Sequence, residues 1–173
     1  MNLRTTILCA ALLGSGTVSA AEGDNVSGTL EGDGISGEVI MVETASGTVH
    51  VDISGQGVPE GAHGLHLHEV GKCESGDGFE SAGGHVSAGL DHGIQSATGP
   101  HPGDLPNVHA SAKGEVRAEF FVRGFTLGTT GNQRVMDDDG TSLILHSGPD
   151  DYETQPSGAS GDRIACAVLK AAQ

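Results

Sequence analysis

The chain has 173 residues, a length typical of one domain, and its 29 glycines disfavour a helix bundle, since each glycine inside a helix costs about 1 kcal/mol relative to alanine. Lys and Arg supply 8 residues against 23 Asp and Glu, so the formal net charge is −15. That charge excludes a nucleic-acid binder, which needs basic residues to replace counterions, and it disfavours docking on an anionic membrane. We therefore expect neither nucleic acid nor membrane among the partners of this protein.

The N-terminus predicts an export signal. Arg4 precedes a short apolar run over residues 7–13, and Val18-Ser19-Ala20 fits the small-residue pattern of a cleavage site. The run is too short to span a bilayer as a helix. We expect residues 1–20 to be a signal peptide and residues 21–173 to form a single domain, in the periplasm or outside the cell.

Short runs rich in β-branched residues predict strands along most of the remaining chain. The first two, 38–43 and 48–53, are joined by Ala45-Ser46-Gly47, as in a hairpin. Apolar and polar residues alternate in the second run, which is typical of a half-buried strand and places His50 on the polar face. Further strands are predicted at 64–70, 114–122, 142–146 and 164–169.

Residues 71–110 show almost no hydrophobic periodicity, and such long stretches inside a compact domain are usually functional. The pattern as a whole indicates an antiparallel β-sandwich or barrel that carries one long ordered loop.

The cysteines favour a disulfide. Removal of the signal, which contains Cys9, leaves Cys73 and Cys166, an even pair in an exported protein. Two buried free thiols remain the alternative.

The histidines indicate a metal site. His66 and His68 are two residues apart in a predicted strand, so both imidazoles project to one face while Leu65 and Leu67 point to the other. The long loop adds further candidate ligands, namely His85, His92, His101 and Asp104. Imidazole and carboxylate without thiolate suit zinc, copper or iron. A solvated histidine-rich loop that binds nothing is the alternative.

Five motifs in order resemble the copper/zinc superoxide dismutase family in its bacterial periplasmic form. They are GAHGLHLHE at 61–69, AGGH at 82–85, GPHPGDLP at 99–106, LHSGPDDY at 145–152 and GDRIAC at 161–166. The resemblance implies an eight-stranded antiparallel Greek-key β-barrel. It also implies dismutation of superoxide to oxygen and hydrogen peroxide, by alternating reduction and oxidation of copper.

The resemblance also implies two ligand sets that share one residue. Copper would be bound by His66, His68, His85 and His146. Zinc would be bound by His85, His92, His101 and Asp104. As the shared ligand, His85 would be a bridging imidazolate that takes up a proton and returns it during the cycle.

Further roles follow from the same matching. Asp150 would link a copper histidine to a zinc histidine, with Asp151 as a competing candidate and an ordinary exposed acid as the alternative. Arg163 would hold the superoxide anion. His63 would be structural, and Lys72 would help to guide the substrate.

Two departures from the family pattern stand out, at residues 86–88 after His85 and in the segment 128–139. Superoxide is the expected substrate, and a homodimer is left open. The rival from another class is a non-enzymatic copper- or zinc-binding module on the same scaffold. A copper-only dismutase is a second rival, which the candidate zinc ligands His92, His101 and Asp104 disfavour.

Overall fold

The fold is a closed barrel of antiparallel strands in the computed structural model, which describes residues 24–128 and 134–171. The described strands are β1 (Asn25–Gly32), β2 (Ile35–Glu43), β3 (Val49–Gln56), β4 (Gly61–His68), β5 (Asp104–Ala110), β6 (Val116–Val122), β7 (Thr141–His146) and β8 (Arg163–Ala171). Around the barrel they run β1-β2-β3-β6-β5-β4-β7-β8, so β6 pairs with β3 and β7 with β4. The predicted eight-stranded Greek-key barrel is confirmed. The predicted signal peptide lies outside the described residues.

The predicted first hairpin is formed by β2 and β3. The Thr44 N–H donates to Thr48 O at 2.9 Å, and Gly47 closes the turn at φ +71°. On β3, every second side chain is buried in the barrel, as the alternation predicts. His50 lies half-buried on the outer face, where its ring stacks on Phe121 at a centroid distance of 5.0 Å.

Strands β4 and β7 are covered on both faces, which sets them apart from the other strands. Leu65 and Leu67 lie in the barrel core, together with Leu143 and Leu145 of β7. The alternating residues His66 and His68 point outward, as the period of two requires, and yet they are fully buried as well. The long loops of the chain therefore lie over this part of the outer barrel surface.

Two strands differ from the sequence expectation. β5 occupies 104–110, at the end of the stretch predicted to lack regular structure. The sequence does not indicate this strand because Pro106 and Asn107 interrupt the alternation of its apolar residues. β1 was not predicted, because only Val26 and Leu30 of its eight residues are buried apolar residues. The loop between β4 and β5 is therefore shorter than expected and ends at Gly103.

The loop after β4 is tied to the barrel by the predicted disulfide. Cys73 is bonded to Cys166 of β8, with the two Cα atoms 5.7 Å apart and 93 residues between them in sequence. The loop contains two single-turn 3-10 helices, Ser75–Asp77 and Glu80–Ala82. The part of the chain that the structure describes contains no helix long and apolar enough to cross a membrane.

Candidate metal centre

Four histidines meet on the outer face of the barrel. β4 contributes His66 and His68, β7 contributes His146 at its last residue, and His85 arrives from the loop by an isolated bridge to His68. One ring nitrogen from each lies within 4.8 Å of the others, and all four residues are buried. The period-two spacing of β4 thus places two imidazoles on the same face, beside the end of β7, where His146 lies next to them.

The ring nitrogens of this cluster divide into engaged and unpartnered atoms. His66 Nε2 lies 2.9 Å from Asp150 Oδ2, while the Nδ1 atoms of His68 and His146 donate to Gly83 O at 2.9 Å and Gly161 O at 3.2 Å. Four buried nitrogens are left without a hydrogen-bond partner: His66 Nδ1, His68 Nε2, His85 Nε2 and His146 Nε2. Unsatisfied buried polar atoms are costly, so four in one place indicate a ligand that binds lone pairs.

A second cluster surrounds one oxygen of Asp104, the first residue of β5. The Nδ1 atoms of His85, His92 and His101 lie 3.1, 2.9 and 3.1 Å from Asp104 Oδ1. The other oxygen, Oδ2, accepts from the N–H groups of Gly93 and His101. The ligand atoms of a tetrahedral zinc with bonds of about 2.0 Å are about 3.3 Å apart, so these three distances suit that ion. One ligand atom from each of His66, His85, His92 and Asp104 also lies within 4.8 Å of the others. His85 belongs to both clusters, through opposite nitrogens of one ring.

Burial keeps three imidazoles of the first cluster neutral. It is the largest cause that lowers the pKa of His85 to about 4, and neighbouring His66 and His92 add to this effect against the opposing hydrogen bond with Asp104. Burial likewise lowers the pKa of His146 to about 3 and that of His68 to about 2. Neutral imidazole is the form that binds metal, so these ligands need no deprotonation at neutral pH.

Asp150 links the two clusters. Its Oδ2 lies 2.9 Å from His66 Nε2 and its Oδ1 lies 3.0 Å from His92 Nε2. Burial acts to raise the pKa of this carboxyl, but the hydrogen bonds from both rings and from the Tyr152 N–H outweigh it and lower the pKa to about 2. Asp151 is exposed and accepts instead from Thr154. The structure thus places Asp150, and not Asp151, between the clusters.

Three backbone hydrogen bonds hold the loop against β4. Leu67 N–H donates to Gly103 O at 2.9 Å, Val86 N–H donates to Leu67 O at 2.9 Å, and Gly103 N–H donates to Val86 O at 3.0 Å. This closed ring fixes both ends of the segment that carries the second cluster. Val86 also packs on the barrel core, so the sequence departure that begins there still gives an anchored loop.

Arg163, the first residue of β8, lies beside the first cluster. A cavity of about 460 Å³ is lined by Arg163 together with His68, His85 and His146. The guanidinium is held in place because its Nη1 and Nη2 donate to Phe79 O at 2.7 Å and Gly83 O at 2.9 Å. Both carbonyls belong to the loop that the disulfide tethers.

Two other basic or histidine positions singled out by sequence lie outside the clusters. His63 is buried, with Nδ1 2.8 Å from His146 O and Nε2 2.7 Å from Pro59 O, so both ring nitrogens are used in backbone contacts. Lys72 forms an ion pair with Glu74 at 2.7 Å and is not among the described residues that line the cavity.

Sequence reasoning missed two residues that support Asp150. The side-chain amide of Asn107 donates to Asp150 O and accepts from Asp150 N–H, both at 2.8 Å. At Gly158, where φ is +66°, an added Cβ would overlap Asp150 Oδ1. An Asn next to Pro in a loop-like stretch, or one glycine among 29, carries no distinguishing signal in the sequence.

Comparisons with known proteins agree with this geometry. A model of the copper/zinc superoxide dismutase (SODC) family matches residues 35–169. The chain is 38% identical over 136 residues to superoxide dismutase (Cu-Zn) 1 of Aquifex aeolicus, covering 78% of this chain and 79% of that protein. It is 39% identical over 142 residues to the superoxide dismutase (Cu-Zn) of Caulobacter vibrioides, covering 80% and 81%.

Solved structures give the same result. The crystal structure of a SOD-like protein from Bacillus subtilis superposes with a TM-score of 0.78 at 34% sequence identity, covering 83% of this chain and 97% of that chain. The family match spans well over half of this chain, and the two bacterial relatives cover more than two thirds of it. This chain therefore belongs to the copper/zinc superoxide dismutase family, whose enzymes use copper and zinc.

Proposed function

We propose that this chain dismutes superoxide at a copper ion held by His66, His68, His85 and His146, beside a zinc ion held by His85, His92, His101 and Asp104. The observation that carries the proposal is the set of four unpartnered, buried ring nitrogens, each on a ring whose other nitrogen is already engaged. Buried nitrogens without a hydrogen-bond partner would destabilise a core that had only to pack, so the arrangement supports a cation bound by four lone pairs.

Copper, when bound, supplies one-electron chemistry by alternately accepting an electron from superoxide and returning one to it. In sum, two superoxide anions and two protons give one oxygen and one hydrogen peroxide. The chain's own residues bind the anion and handle a proton. Arg163 offers fixed N–H donors and a positive charge on the wall of the cavity. His85 takes up a proton at Nε2 in the first half of the cycle and returns it in the second.

Asp104 and Asp150 orient the proposed ligands, and a bound zinc would hold the shared one. The Nδ1 atom of His85 is directed at the second cluster by Asp104, and Asp150 couples His66 to His92 across the two clusters. Since each imidazole has its second nitrogen fixed, the rings keep one orientation during turnover. The convergence of three histidines on Asp104 supports a copper-zinc site over a copper-only one.

Arg163 also bears on the non-enzymatic rival. A metal store or carrier needs ligands but no cation beside its open face, whereas an enzyme acting on an anion gains from a fixed guanidinium there. The position of Arg163 beside three of the proposed copper ligands therefore supports an enzyme.

We further propose that the protein is exported, with residues 1–20 removed and residues 21–173 forming one domain in the periplasm. The disulfide between Cys73 and Cys166 supports an oxidising compartment. Mass spectrometry of the periplasmic protein tests this, since retention of residues 1–20 would contradict it.

Metal analysis of the purified chain, coupled to a superoxide dismutation assay, tests the function. We expect one copper and one zinc per chain and activity that follows copper content. His146→Ala should lose copper and activity, while His50→Ala, outside both clusters, should keep both. Full activity in metal-free protein, or in His146→Ala, would refute the proposal.

A further inference from the structure

The cavity beside the histidine cluster is lined by more negative than positive charge. Among the described lining residues Arg163 is the single Lys or Arg, whereas Asp77, Glu80 and Asp162 bring three carboxylates. The whole chain is also acidic, with a formal charge of −15. Both the charge of these side chains and the overall charge oppose the approach of an anion, so the bound metal ions and Arg163 must supply the attraction that superoxide needs.

Arg163 is itself in contact with one of these carboxylates. Its Nη2 lies 3.6 Å from Glu80 Oε2, and its side chain is only 16% exposed, while that of Glu80 is 73% exposed. Two carbonyl oxygens already accept hydrogen bonds from the same guanidinium. An anion that enters the cavity must therefore compete with a carboxylate that is free to move in solvent.

Compensation from the nearby lysine is weak. Lys72 and Glu74 are paired at 2.7 Å, and both side chains are 55% exposed. A paired surface lysine presents a dipole more than a net charge, and its field beyond about 8 Å is screened at physiological salt. The prediction that Lys72 guides the substrate thus finds no support in this contact.

We propose that Glu80 limits the access of anions to this site, because its carboxylate occupies the guanidinium that an incoming anion needs. Its relevance to superoxide rests on the proposed dismutase function, but the competition applies to any small anion that binds Arg163. Loss of one charge about 6 Å from the bound anion, in water, changes the local anion concentration about threefold.

The test uses the full copper- and zinc-loaded protein and compares Glu80→Gln with Glu115→Gln. The control removes the same charge on the turn between β5 and β6, away from the cavity-lining residues.

Azide, a monovalent anion, is titrated optically, and kcat/KM for superoxide is measured from about 10 to about 200 mM salt. We expect Glu80→Gln to bind azide about threefold more tightly than the wild type, with Glu115→Gln close to the wild type. We also expect Glu80→Gln to have a higher kcat/KM than the wild type at low salt, with the difference shrinking as salt rises, because salt screens the charge of Glu80.

Two results would overturn the inference. If Glu80→Gln binds azide no more tightly than Glu115→Gln, Glu80 does not compete for Arg163, and weaker binding would assign it a positioning role instead. A ratio of kcat/KM between Glu80→Gln and the wild type that does not change with salt would show that Glu80 does not act through its charge. Azide binding needs no turnover, so a protein that bound azide without dismuting superoxide would contradict the proposed function and leave this inference intact.

Discussion

One carboxylate oxygen, Asp104 Oδ1, has three histidine nitrogens within 3.1 Å, which is a dense arrangement of lone pairs. The pKa of Asp104 is held below its usual range, because hydrogen bonds from His85 and the Gly93 N–H, together with nearby His92 and His101, outweigh the opposing effect of burial. The carboxylate is therefore charged before any metal arrives. A cation at this point would replace these shared contacts by direct bonds to the ligand atoms.

His101→Ala is expected to lower zinc occupancy and melting temperature far more than copper occupancy. His101 contacts only the Asp104 cluster, whereas His85 belongs to both. Metal analysis and thermal unfolding check this, with His109→Ala as the control, since that residue is exposed on β5, the strand that follows His101. Normal zinc content and melting temperature in His101→Ala would remove this residue from the ligand set.

Arg163→Ala is expected to reduce the dismutation rate about tenfold or more while the copper content stays normal, because the change removes an anion anchor and no ligand. Rate and copper content are measured on the same preparation, at low ionic strength. A loss of activity fully explained by missing copper, or full activity, would each contradict the role given to Arg163.

At the scale of elements, the loop after β4 contains Phe79 and Gly83, whose carbonyls accept hydrogen bonds from Arg163, and one disulfide bonds this loop to the barrel. The disulfide joins that loop to β8 three residues beyond Arg163, so donor, acceptors and tether form one local unit. Phe79 and Ala82 of the loop pack with Cys166 in a small apolar cluster of their own. The loop's position therefore depends on the disulfide and on few other apolar contacts.

Replacement of both Cys73 and Cys166 by Ser is expected to lower the free energy of unfolding by about 4 kcal/mol in the chain-entropy account, since the bond closes a long loop. Urea unfolding of the metal-loaded protein measures this. The activity at 25 °C should fall as well, because the carbonyls that hold the guanidinium lose their tether. Unchanged stability and activity would show that the loop is fixed by packing alone.

The elements also show what a single sequence can predict. Alternation identified β3, and the spacing of His66 and His68 placed both rings on one face, because local periodicity determines which face a side chain takes. β1 escaped because its sequence gives little alternation, although it pairs with β2, the next strand in the chain. β5 escaped because its alternation is interrupted and its main partner, β4, is distant in the chain. Asn107 and Gly158 escaped for the same reason, since only the folded loops bring them to Asp150.

At the scale of the whole molecule, acid is expected to destabilise the metal-free protein. In the folded state burial lowers the pKa of His85 to about 4, of His146 to about 3 and of His68 to about 2, against about 6.5 in an unfolded chain. Between these values the unfolded state binds more protons, so the free energy of unfolding falls as pH falls from about 7 to about 4. Each group contributes up to about 1.4 kcal/mol per pH unit in that window.

Urea unfolding of the metal-free protein at several pH values between 7 and 4 measures this slope. His68→Asn should make it shallower, because one group that resists protonation is lost. A free energy of unfolding that stays constant over this range would contradict the buried, neutral state of these rings.

Strand β4 separates packing from ligand binding residue by residue, and this has a consequence for how the protein matures. Leu65 and Leu67 belong to the barrel core, while His66 and His68 on the opposite face take no part in it. We therefore expect the interior to close in the metal-free chain, because none of these core contacts depends on an ion. For a chain exported as proposed, folding need not wait for copper or zinc.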